Sequence, residues 1–142
     1  MQIRAQVRNG QGEHHVTLTT NDAAHTIQIP PRASGFGSSA NGGELLFLAL
    51  ATCYCNDIYR EAARRGIAVE QVDVDVDGQF GAEGEPATQV SYRARIVAHA
   101  SEAEIRELMT HTDSVAEIQY TLRVPSPVTL ARIEAIAVDT AP

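Results

Sequence analysis

The sequence has no lysine and no tryptophan. All 11 basic residues are arginine, which excludes Schiff-base chemistry and a phosphate-loop lysine. Two cysteines, Cys53 and Cys55, are too few for a disulfide-stapled scaffold. They are also too few for a structural zinc site without help from histidine. His14, His15, His25, His99 and His111 show no ligand spacing relative to them, so no metal and no cofactor are expected. The longest apolar run, Leu45–Ala51, is far short of the roughly 20 residues that a bilayer span needs. No basic leader followed by an apolar stretch opens the chain, and the cytoplasm is the expected compartment. Positive charge is scarce as well. A net charge of −7 argues against nucleic acid and against an anionic membrane surface as partners.

What is present is an ordinary globular composition. The chain has 142 residues, 44% hydrophobic and 20% charged, the size of one domain with a real core. Residues 1–142 therefore read as a single domain. Residues 1–29 alternate loosely in three runs, with turn signals at Asn9–Gly10 and Asn21–Asp22, and read as a β-meander. Residues 30–43 hold two Pro, four Gly and three Ser, and read as a loop that carries the lone Phe36. Residues 44–65 form the longest helical pattern, closed by Gly66. Its first half is apolar almost all round, as in a buried helix. Residues 69–99 read as a β-hairpin. In its first strand Val72, Val74 and Val76 face one way and Asp73, Asp75 and Asp77 face the other. The Asp row reads as a solvated face, because calcium sites need ligands converging on a loop.

Ser101 and Glu104 form a capping box that opens a helical segment over 101–122. That helix is expected to run through about Thr110, with His111 at its end. A final strand is expected over 127–138, after Pro125. Runs of antiparallel strands punctuated by helices make the fold class α+β.

The chemistry centres on the long helix. Cys53, Asp57 and Arg60 fall at i, i+4 and i+7 and share one stripe. Cys55 lies about 200° further round, so the two thiols cannot bridge while the helix holds. Arg60 favours a Cys53 thiolate and Asp57 opposes it. The bland alternative is that Cys53 is a small buried hydrophobe. Tyr54 and Tyr59 read first as packing residues. Asn56 and Asp57, if buried, need hydrogen-bond partners across a dimer or in the Gly/Ser loop.

Several features together resemble the OsmC/Ohr family. They are Glu44-Leu45-Leu46, Cys53 nine residues after that Glu, Arg64-Arg65, Gly66-Ile67, the Val72/Val74/Val76 strand and Thr121-Leu122. The resemblance covers about 100 residues and implies an OsmC-like two-layer fold, with a curved sheet on a long central helix, and an intertwined homodimer. It implies reduction of organic hydroperoxides by Cys53, with Glu44 and Arg60 as further catalytic candidates. The substrate pocket would be lined by Leu46, Leu50, Tyr54 and Phe36. The family's resolving cysteine falls on Ala116, and no cysteine follows Cys55. The family's Asn-Pro-Glu-Glu opening is here Asn41-Gly42-Gly43-Glu44, which puts its functional Glu on Gly43. Arg8 and Arg32 are candidates for its supporting Arg.

The two-cysteine cycle that the resemblance implies therefore cannot run here as it does in that family. Cys55 could resolve only if the helix locally unwinds, and three readings remain. Cys53 is a one-cysteine peroxidase of small apolar hydroperoxides, recharged by an external thiol reductant. Alternatively, the dimer binds a small apolar or acyl ligand in an interface pocket without turnover. In the third reading it is a structural dimer with a sequestered thiol. The peroxidase needs an accessible Cys53 near a positive group, the ligand binder needs a roomy apolar pocket of order 300 Å³ or more, and the structural dimer needs neither.

Overall fold

The structure, a computed structural model, describes residues 1–138. Three strands, β1 (Ile3–Gly10), β2 (Glu13–Thr20) and β3 (Ala23–Ile27), form an antiparallel sheet in the order β1-β2-β3. Gly12 closes the first turn at φ 73° and Asn21 the second at φ 51°, left-handed conformations suited to those two residues. The register sets Val7, Val16 and Ile27 in one row and Ala5 beside Leu18 in the next. Directly opposed residues share a face, so this sheet carries one apolar face.

The loop after β3 is tied to β1 by the Gly37 amide, which donates to Asn9 Oδ1 at 3.0 Å. It ends at Asn41, the N-cap of α1 (Gly42–Arg64). Asn41 and Glu44 form a full capping box: Glu44 N–H donates to Asn41 Oδ1 at 2.8 Å, and Asn41 N–H donates to Glu44 Oε1 at 3.1 Å. The helix stops at Gly66, with φ 68°.

The second sheet is one long hairpin, β4 (Ala68–Phe80) with β5 (Ala87–His99). Its period-two pattern works as read. Val72, Val74 and Val76 are half-buried while Asp73, Asp75 and Asp77 face water. Across the ladder Asp73 pairs with Arg95 and Asp77 with Arg93, so the acidic row is a solvated, charge-paired face. The inner face packs on α1. Tyr54, Ile58 and Ala62 of the helix meet Val72, Val74, Tyr92 and Ile96 of the sheet, and Leu108 from the next helix completes the core. The Tyr54 and Tyr92 rings sit 4.9 Å apart, a tilted aromatic pair.

α2 (Glu102–Val115) begins at the Ser101–Glu104 capping box, as the sequence signals. It runs five residues past Thr110, so His111 lies within the helix rather than at its end. There its Nε2 is 3.3 Å from Glu61 Oε2. α3 (Glu117–Arg123) follows after one extended residue, Ala116.

The final strand expected over 127–138 is not formed. Residues 126–138 have no regular secondary structure, and Val128, Leu130, Ile133, Ile136 and Val138 stand in solvent. Alternating apolar residues suit a strand, but a strand exists only within a ladder that satisfies its backbone groups, and no neighbouring strand supplies one here. The rest is α+β with two antiparallel sheets and three helices. Among the described residues no helix is long and apolar enough to cross a membrane.

Candidate functional site

Cys53 sits in the middle of α1, half-buried, where α3 comes up against the helix. The stripe expected from helical spacing is real. The Cys53 thiol donates to Asp57 Oδ2 at 3.6 Å, and Arg60 Nη1 pairs with Asp57 Oδ1 at 2.8 Å. Asp57 is buried and finds its partners on its own helix, not in the Gly/Ser loop. Asn56 is exposed.

A fourth group arrives from 64 residues away. Glu117 Oε2 lies 3.9 Å from Cys53 Sγ, and Glu117 Oε1 lies 3.6 Å from Arg60 Nη1. The backbone N–H of the next residue, Ile118, lies on the same side and favours the thiolate form of the sulfur. Arg60 also holds the buried Glu61 at 2.9 Å, and Arg64 holds it from the other side.

These neighbours set the acidity of the thiol. Burial pushes Cys53 up from its ordinary value, the Ile118 N–H pulls it down, and the Asp57 and Glu117 charges push it up again. Asp57 is itself raised, first by burial and next by the Glu117 charge, with Arg60 opposing. The site is therefore a neutral thiol beside a carboxylate of unusual basicity.

Sequence reasoning missed Glu117 and Ile118. The available signal was Ala116, the position where the resolving cysteine of the resembling family falls. Ala116 is fully buried and opens α3 against Cys53. Cys53, Asp57 and Glu117 also bring three donor atoms within 4.8 Å of one another. The Arg60 guanidinium is already paired with both carboxylates, so a cation would have to compete with it.

Glu44 does not join this cluster. It lies nine residues up the helix, about 13 Å along the axis, with its carboxylate committed to the cap. At Gly43 a Cβ would come within 2.9 Å of the Phe80 ring, so a glutamate there would require that ring to move. Arg8 is exposed on β1, and Arg32 folds over Gly37 in the loop. Among the described residues the guanidinium that pairs with the thiol's two carboxylate neighbours is that of Arg60. Cys55 points elsewhere, towards a shallow depression with Val72 and Val74.

Beside this site lies an apolar cavity of about 690 Å³. Leu46 and Leu50 line it, together with Val90, Tyr92, Gln119 and Leu122. Tyr54 does not line it. Its ring is in the core and its hydroxyl donates to Met109 O at 2.9 Å. Burial and the nearby Asp113 charge push that hydroxyl up to about 12. Phe36 is exposed on its loop and is not part of the cavity wall either.

A family model described as OsmC-like protein matches residues 35–131. The chain belongs to the OsmC-like family. Solved OsmC-like structures share the fold. An OsmC-like protein from Mycoplasma pneumoniae is 20% identical, with 84% of this chain and 87% of that one covered and a TM-score of 0.57. An organic hydroperoxide resistance protein OsmC from Legionella pneumophila is 21% identical, with 87% and 90% covered and a TM-score of 0.56. An OsmC-like protein from Vibrio cholerae is 13% identical, with 85% and 93% covered and a TM-score of 0.57. A search of curated proteins gives no match.

Proposed function

We propose that this OsmC-like protein reduces organic hydroperoxides through Cys53 alone and is recharged by an external thiol. The observation that carries this reading is the thiol's setting. A half-buried thiol donates its proton to Asp57, which Arg60 holds in place. Asp57 takes the proton as the sulfur attacks the outer oxygen of the hydroperoxide. The O–O bond breaks, the sulfur becomes a sulfenic acid, and the departing alkoxide takes the proton to leave as an alcohol. One external thiol then condenses with the sulfenic acid, releasing water and leaving a mixed disulfide. A second external thiol attacks the sulfur of the first, the two leave as a disulfide, and Cys53 departs as the restored thiol. Loss of the resolving position to Ala116 makes the external thiol obligatory. The Legionella relative is described as an organic hydroperoxide resistance protein, which accords with this reading.

Turnover tests it. With tert-butyl hydroperoxide and a small dithiol, the wild type and Cys55→Ser should consume peroxide at similar rates and Cys53→Ser not at all. Equal consumption by Cys53→Ser would overturn the reading.

A homodimer is part of the proposal. The chain exposes 10946 Å², whereas a compact chain of its mass exposes about 7,100 Å². The apolar face of the β1–β3 sheet leaves Ile3 and Val7 in solvent, and Leu48 is exposed on α1. Such a surface suits a second copy of this chain. Two free thiols and the absence of disulfides suit the cytoplasm.

A second reading is favoured by the cavity: binding of a small apolar or acyl ligand without turnover. Cys53 is not among the residues that line it.

A further inference from the structure

Glu61 is a buried carboxylate one helical turn beyond Asp57, and the reaction at Cys53 does not use it. Burying a carboxylate is costly unless its oxygens are paired, and here both are. Oε1 accepts from Arg60 Nε at 2.9 Å and from Arg64 Nη1 at 2.9 Å. Oε2 lies 3.3 Å from His111 Nε2 on α2. Partners on two helices therefore fix this side chain. The hydrogen bond from Arg60 is the first cause that keeps its carboxyl below the ordinary value.

Helix geometry does not supply the Arg60–Glu61 pair. Successive residues of a helix point about 100° apart and do not face each other. Arg60 has to lie across the helix to rest its Nε on Glu61. From there its Nη1 is 2.8 Å from Asp57 Oδ1 and 3.6 Å from Glu117 Oε1. The donors of a guanidinium share one rigid plane, so holding Nε also orients Nη1. The Arg60 side chain is 38% exposed, and without an anchor it has open water to swing into.

We propose that Glu61 is the positioning residue of the thiol site: it anchors Arg60 through Nε and so aims Nη1 at Asp57, the group that takes the Cys53 proton. This rests on the reaction proposed above for Cys53 and adds what keeps its proton acceptor paired.

Loss of the Glu61 charge acts on Asp57 in two opposite ways. Through space alone, removing a negative charge favours ionised Asp57 and lowers its titration midpoint. Through Arg60, losing the anchor withdraws a cation and raises that midpoint.

Carbon-13 NMR titration of the Asp57 carboxyl in the full-length protein separates the two. Glu61→Gln keeps the shape and gives up the charge that holds Arg60. It should raise the Asp57 midpoint by about half a pH unit. In an Arg60→Met background the same substitution should not raise it. A midpoint that Glu61→Gln lowers or leaves unchanged, or raises equally in both backgrounds, would overturn the assignment. If Glu61→Gln does not fold, the wild type decides. Its Arg60 Nε–H should exchange with water more slowly than that of a free arginine, and exchange at the free rate would overturn the anchor. The titration needs no peroxide, so a wild type that fails to turn over strikes the peroxidase reading and not this one.

Discussion

At the scale of residues, the reactive group was legible to the extent that it is local. Cys53, Asp57 and Arg60 share a stripe because helical geometry fixes i, i+4 and i+7 on one side. Glu117 and Ile118 reach the sulfur through tertiary packing from a separate helix, which no spacing rule encodes. Glu44 shows the opposite error. A carboxylate near a cysteine helix looked chemical, yet its position three residues after Asn41 commits it to the cap. The carboxylates around the thiol have a measurable consequence. Burial and the Asp57 and Glu117 charges hold Cys53 above its ordinary value of 9.0. Iodoacetamide alkylation of Cys53 should therefore rise with pH along a curve centred above that of a free thiol. Asp57→Asn removes one of the raising charges and should move the midpoint to lower pH. An unchanged midpoint would show that Asp57 does not control the thiol.

At the scale of elements, capping boxes and period-two alternation were sound guides because both are short-range. The two boxes at Asn41 and Ser101 start α1 and α2 where the sequence marks them. The boundary between α2 and α3 was not legible, since neither Gly nor Pro marks it. Ala116 simply adopts an extended conformation there. The segment 127–138 shows the limit of alternation, which specifies a face but not a partner. The Arg123–Asp113 pair, reinforced by Tyr92, ties α3 to α2. Arg123 is the first cause that holds the Asp113 carboxyl below its ordinary 3.8. A depressed carboxyl contributes stability that is present above its unfolded value and is lost as the pH falls through the folded one. Both side chains are partly exposed, so Arg123→Leu should cost about 1 kcal/mol at pH 7. The deficit should shrink as the pH drops below about 4. Urea unfolding of both proteins at pH 7 and pH 3 measures this, and a deficit unchanged at pH 3 would contradict the assignment.

At the scale of the whole molecule, composition and pattern gave the α+β class, and the family model confirms the resemblance read from the cysteine helix. The arrangement of the first sheet was not legible. A meander is recognisable from its turns, but where it packs depends on surfaces far away in sequence or on another chain. Here its main contacts are among its own strands, and its apolar face remains available. At 15.3 kDa per chain, sedimentation equilibrium should return a dimer of about 31 kDa at micromolar concentration. Val7→Glu, on that face, should shift the protein towards monomer. A monodisperse monomer of unaltered wild type would remove the dimer from the account.

The most direct test of the central claim is a single-turnover measurement at the thiol. Fully reduced protein is mixed with one equivalent of cumene hydroperoxide, sulfenic acid is trapped with a dimedone-type probe, and the label is mapped by mass spectrometry. The account predicts labelling at Cys53, faster than with hydrogen peroxide and lost in Cys53→Ser but not in Cys55→Ser. Labelling no faster than that of a free thiol, or labelling centred on Cys55, would contradict it.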